Sequence, residues 1–163
     1  MARTSRTRWG LICLLVFSSL AASPTPRVRS TNPAIAAAIV EAQSRSATFR
    51  SLVRAIEATD GIIYVEHGRC GHGVRACLSL SLVSGVGFRL LRILVDSAGD
   101  PIALMATIGH ELRHALELLS EPAVRTPTDA YFYYVTAAPT VRAAFETAAA
   151  VQTEFAVERE LHR

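Results

Sequence analysis

Near the middle of the chain, the run Thr107-Ile108-Gly109-His110-Glu111-Leu112-Arg113-His114-Ala115 contains the pattern H-E-x-x-H. On an α-helix, residues i and i+4 share one face, so His110 and His114 can reach a single ion. Glu111 is turned by about 100° from His110 around the helix axis. Its carboxylate therefore falls beside an ion-bound water rather than on the ion. Two imidazole ligands, an adjacent base and an open coordination position are what zinc-dependent hydrolysis needs. These residues predict a Zn²⁺ site with His110 and His114 as ligands and Glu111 as the general base.

A second concentration of reactive side chains lies earlier. Glu66, His67, Cys70, His72 and Cys77 fall within twelve residues, around the glycine-rich segment HGRCGHG. Two chemistries compete there. The cluster can ligate a metal, or Cys70 and Cys77 can pair as a disulfide. The disulfide is the expectation, because thiols in an exported protein tend to oxidise.

Export itself is read from residues 1–21. Arg3, Arg6 and Arg8 form a positive n-region, Trp9 to Leu20 is an apolar run, and Ser19 and Ala21 fit a signal-peptidase site. The run is shorter than the ~20 residues that a membrane helix needs. The expectation is cleavage after Ala21, a secreted or periplasmic product, and no stable membrane association afterwards. The alternative is an N-terminal anchor that is retained. Residues 22–45 then read as a linker and first helix, and 46–163 as the metal-binding domain.

The chain has 163 residues, half of them hydrophobic and 19% charged, which excludes a disordered polypeptide and suits one domain with a real core. All 17 basic residues are arginine, set against 14 acids, for a net charge of +3. The excess is the three arginines of the n-region. Without that segment, fourteen arginines balance fourteen acids. The composition gives no support to a polyanion or nucleic-acid partner.

The elements that must position the motif follow from periodicity. Residues 24–30 read as a polar linker. Asn32-Pro33 caps an alanine-rich helix over 33–43. Ser46 starts a second helix whose Phe49, Leu52, Val53 and Ile56 mark one buried face. Three short strands are expected at Ile62–Glu66, Cys77–Val83 and Phe88–Val95, as a small antiparallel sheet. Asp100-Pro101 opens the motif helix, with Ile102, Met105, Ile108, Leu112, Ala115 and Leu119 near one stripe. Thr126-Pro127-Thr128-Asp129 caps a short aromatic helix, and a last helix is expected over 139–162, with Val141, Phe145 and Ala148 buried.

The order of sheet and TIGHELRHALE helix resembles the HExxH zinc metallopeptidases. The downstream segment Phe145-Glu146-Thr147-Ala148-Ala149-Ala150 is similar to the second-helix glutamate motif of the gluzincins. More closely, residues 46–161 resemble small exported bacterial proteins of unassigned function that carry HELxHA, ET-x-A and V-x-x-EL segments. The gluzincin resemblance implies a zincin-like α+β fold, zinc-dependent peptide hydrolysis on a peptide or protein substrate, and Glu146 as third zinc ligand.

Small neighbours at Ala143, Ala149 and Ala150 would let the last helix approach the motif helix. Glu117, Glu121, Asp129 and Glu154 compete with Glu146 for the ligand role. The metzincin pattern would require Gly at 117 and His at 120, where this chain has Glu117 and Ser120. The Asp that orients a ligand histidine in several gluzincins is replaced by Ala150, so that partner is absent or comes from elsewhere. Tyr131, Tyr133, Tyr134 and Arg142 are candidate oxyanion donors, and Arg113 is expected to face solvent or an acid. An extended peptide would add to strand 88–95. The alternative function is a catalytically weak or inactive zincin-like domain with a structural or sensory metal.

Overall fold

The computed structural model describes residues 25–137 and 145–163. The segment 1–21, expected to be a signal peptide, lies outside them, as do Val141, Arg142 and Ala143. The helix starts follow their caps. Asn32 accepts from the backbone N–H groups of Ala34 and Ile35 at the head of α1 (Pro33–Arg45). Ser46 does the same from Phe49 for α2 (Ala47–Glu57). Buried Ile35, Ile39 and Ala42 on α1 join Phe49, Leu52, Val53 and Ile56 on α2 in one core. The segment 22–45 thus supplies core residues as well as a linker.

Four strands form one sheet. A two-residue strand, β1 (Val28–Arg29), lies in the segment expected to be linker. It pairs in parallel with β2 (Gly61–His67), and β2 pairs in parallel with β4 (Phe88–Val95). Only β3 (Ala76–Gly85) runs antiparallel, against β4, so the order is β1-β2-β4-β3. The sheet is therefore mixed, not the antiparallel one expected. The cause is the hairpin, which returns β4 between β2 and β3. Its two-residue loop, Val86-Gly87, places Gly87 at φ +78°, a conformation that costs glycine little. The near-continuous apolar run FRLLRILV suits an interior strand, and the serine-alternating β3 suits an edge. Strand 88–95 is thus paired on both sides and offers no edge to a peptide. The free edge beside the motif belongs to β3.

One face of the sheet carries Ile63, Val65, Leu91, Ile93 and Val95, all buried under the helices. The motif helix α3 (Pro101–Leu119) lies against it, capped by Asp100. Met105, Ile108, Leu112, Ala115 and Leu119 are buried as expected, and Ile102 is half-buried. Helix α4 (Pro127–Ala137) begins with a reciprocal box: the Thr126 N–H donates to Asp129, and the Asp129 N–H donates to Thr126 Oγ1.

The last helix, α5 (Ala148–Leu161), starts nine residues later than expected, with Thr147 as its cap. Phe145 and Ala148, expected to be buried, are exposed. Instead of crossing the sheet, α5 runs along α3 and touches α1 and α2. Gly109 permits the approach: a Cβ there would sit 3.2 Å from Val157 and 3.4 Å from Phe49. At its far end, Glu160 accepts from Ser46 Oγ and from the N–H and hydroxyl of Thr48.

Asp60 ties the start of β2 to β4. The hydrogen bond from Arg89, reinforced by the charges of Arg89 and Arg125, holds its carboxyl below the ordinary 3.8 despite partial burial. A depressed carboxylate stabilises the fold above the unfolded value and loses that contribution as pH falls through the folded one. Acid unfolding of the wild type should therefore steepen below about pH 4. An Asp60→Asn variant should be weaker at neutral pH and show a shallower acid slope, as measured by urea midpoints against pH.

Candidate metal centre

His110 and His114 project from the same face of α3 and are 7% and 6% exposed. Their rings meet edge to face, with Nε2 atoms 3.2 Å apart. Glu146 does not sit on a helix as expected. It lies in the non-helical segment 145–147 just ahead of α5, and its Oε1 is 3.3 Å from His110 Nε2 and 3.9 Å from His114 Nε2. One ligand atom from each of the three residues falls within 4.8 Å of the others.

The opposite ring nitrogens are held by carboxylates. Glu154 Oε2 is 3.0 Å from His110 Nδ1, and Glu117 Oε2 is 3.3 Å from His114 Nδ1. An ionised carboxylate only accepts, so each Nδ1 carries its proton. In neutral rings both Nε2 atoms are then bare acceptors. Three lone-pair-bearing atoms therefore face one another, an arrangement that calls for a proton or a cation between them. A tetrahedral ion with bonds of about 2.0–2.1 Å separates its ligands by roughly 3.3 Å, close to the spacings here. The donor set fits zinc.

The protonation tendencies follow from the same contacts. Burial presses His110 downward, but the hydrogen bond it donates to Glu154 and the charges of Glu111, Glu146 and Glu154 outweigh it and leave its pKa raised. The bond to His110 holds Glu154 below the usual carboxylate range. Glu117 is also depressed: bonds from His114, Thr147 and Arg113 overcome its burial. Burial pushes Glu111 upward, against the pull of His114, His110 and a hydrogen bond from the Leu78 N–H at 2.7 Å. That N–H comes from the free edge of β3, so the edge strand fixes the carboxylate.

Backbone geometry aims Glu146 inward. Phe145 adopts φ +35°, a left-handed conformation that costs a non-glycine residue about 1–3 kcal/mol. Its ring packs against Tyr131 and Tyr134, at centroid distances of 5.7 and 5.8 Å. Thr147 Oγ1 donates to Glu117 at 2.9 Å, linking the Glu146 segment to the carboxylate that holds His114.

Other expectations are redistributed. Tyr134 stacks edge-on against His114, and its buried hydroxyl donates to the His114 carbonyl at 2.8 Å, so that proton is already committed. Tyr131 is exposed and Tyr133 half-buried. Arg113 pairs with Glu117, as one of its two expected settings required. Cys70 and Cys77 form a disulfide. Glu66 pairs with Arg92 and His67 with Ser97, so these two do not join the cysteines in a cluster. The partner missing at Ala150 is supplied one turn further along α5, by Glu154. Glu117, a competing ligand by sequence, instead holds His114, a contact that its i+3 spacing on one helix already signals. Among the described residues, no helix is long and apolar enough to cross a membrane. No known protein family, curated protein or solved structure matches the chain.

Proposed function

We propose that this protein is a zinc-dependent peptide hydrolase of zincin-like design, exported through its N-terminal segment. His110, His114 and Glu146 would hold the ion. The observation that carries this reading is the convergence of three acceptor atoms whose histidine Nδ1 positions are already occupied by Glu154 and Glu117. A bound zinc ion would supply Lewis acidity and lower the pKa of a coordinated water towards about 7.

The chain's own residues do the rest. Glu111, held by the Leu78 N–H, takes a proton from the attacking water as its oxygen adds to the peptide carbonyl carbon. The same carboxyl returns that proton to the departing amine as the C–N bond breaks. The free edge of β3 runs past Glu111, so an extended peptide adding to it would bring its carbonyl to this point.

The test is digestion of a peptide library by zinc-loaded protein. Cleavage that a chelator abolishes and zinc restores supports the reading. A structural or sensory metal is the second reading. It is favoured by the Tyr134 hydroxyl, which is spent on a backbone carbonyl and cannot serve an oxyanion. Bound zinc without cleavage would select it.

Both readings expect Glu154 to matter. A carboxylate that orients a ligand histidine is worth about 10–100-fold in metal affinity. Glu154→Ala should weaken zinc binding by that factor, as measured by competition with a chromogenic chelator. Unchanged affinity would show that His110 needs no such support.

A further inference from the structure

A cavity of about 180 Å³ opens directly beside the centre. Glu111, His114 and Glu146 form one end, and Val74, Leu78, Leu80, Tyr134 and Phe145 form the walls. Among the described residues no arginine lines it, and the chain has no lysine. An acidic side chain entering it would lose water and meet two carboxylates, with no cationic side chain among the described lining residues to offset them. A basic side chain would also lose water. The carboxylates it would meet are already committed, Glu111 to the Leu78 N–H and Glu146 to the metal centre that it would form with the two histidines. An apolar group meets neither cost. A cavity of about 150 Å³ with apolar walls suffices to hold a benzene ring, so the available space matches one leucine- to phenylalanine-sized side chain.

We infer that this cavity is a specificity pocket that accepts one uncharged apolar side chain, from leucine to phenylalanine in size, next to the scissile bond. The inference rests on the hydrolase reading for the word scissile, but not for the binding. The disulfide-bonded segment 70–77 carries Val74 to the rim, half-exposed, while β3 supplies Leu78 and Leu80.

Two measurements test it separately from catalysis. In the first, N-acetyl-leucinamide and N-acetyl-aspartamide are titrated into the protein, and amide shifts of Leu78, Leu80 and Phe145 are followed by NMR. The leucine amide should perturb these positions and the aspartate amide should not. Val74→Trp, a rim change at a half-exposed site, should weaken the leucine response by occupying the space. In the second, the residues flanking cuts in a peptide library are read. Large apolar residues should exceed acidic ones by at least about tenfold, since a single methylene in an apolar pocket is worth that much.

Leucine-amide binding without any cleavage would leave the pocket standing and remove the hydrolase reading. Cleavage with no apolar preference would do the reverse. Equal responses to the two amides, or none to either, would overturn the pocket.

Discussion

Replacing Glu111 by glutamine is expected to lower kcat/KM for peptide cleavage by about 10²–10⁴-fold, the usual worth of a positioned proton-transfer group. Zinc should remain bound at one equivalent. Glutamine keeps the size of the side chain and an oxygen that can accept from the Leu78 N–H, so the contact between α3 and β3 survives. What it cannot do is take the proton. Glu111 is 7% exposed, and burial already raises its affinity for a proton, as suits a base. The variant should not be less stable than the wild type, because it removes a buried charge. Steady-state kinetics beside zinc stoichiometry measure both parts. Unchanged activity would remove Glu111 from the chemistry, and lost zinc would reassign it as a ligand.

A loss of about 3–5 kcal/mol in folding stability is expected for Arg89→Met, the usual cost of stranding the partners of a buried charge. Arg89 lies on β4 and is 3% exposed. Its guanidinium donates to the carbonyls of Leu118, Leu119, Glu121 and Val124, and pairs with Asp60 at 2.7 Å. The last carbonyls of a helix have no partner within it, and a cation at that end is favoured by the helix dipole. Arg89 thus closes the C-terminal end of the very helix that carries the two histidines. Methionine fills the space but withdraws the guanidinium from four carbonyls and leaves Asp60 with Arg125 alone.

Against a total stability of about 5–15 kcal/mol, such a loss should lower Tm by about 10 °C or more. Lysine should rescue only part, because a single ammonium cannot span the fork of contacts. Urea midpoints would measure it, and a change under about 1 kcal/mol would mean that water replaces the guanidinium.

Arg89 also shows where sequence reasoning stops. The local elements were legible: caps at Asn32 and Asp100, the start of α2 at Ser46, the stripe on α2, and strand 88–95 to the residue. These depend on neighbours a few positions apart. The Cys70–Cys77 pairing was legible from the expected compartment and the cysteine count. Sheet order was not, because it depends on which strand a hairpin returns beside, and no local period records that. Either arginine of FRLLRILV looks like a surface residue, and for Arg89 only the end of α3, 29 positions later in sequence, explains its burial.

The same limit applies at the metal centre. The helical spacing of His110 and His114 fixes their convergence, so the motif can be read. The clamp by Glu154 depends on how α5 docks at Gly109, and the place of Glu146 depends on a left-handed turn at Phe145. A helix was expected to run through Phe145 because alanine-rich segments favour it. Thr147 instead caps a helix that begins at Ala148, and this frees Glu146 to turn towards the histidines.

The most direct measurement is metal content. Purified protein, stripped with a chelator and dialysed against zinc, should return with one equivalent. His110→Ala and His114→Ala should return with none under the same conditions, while their circular dichroism stays that of a folded α+β domain. Glu146→Ala should bind much more weakly than wild type. Wild-type protein that holds no zinc, or a His114→Ala variant that still holds one equivalent, would contradict the account.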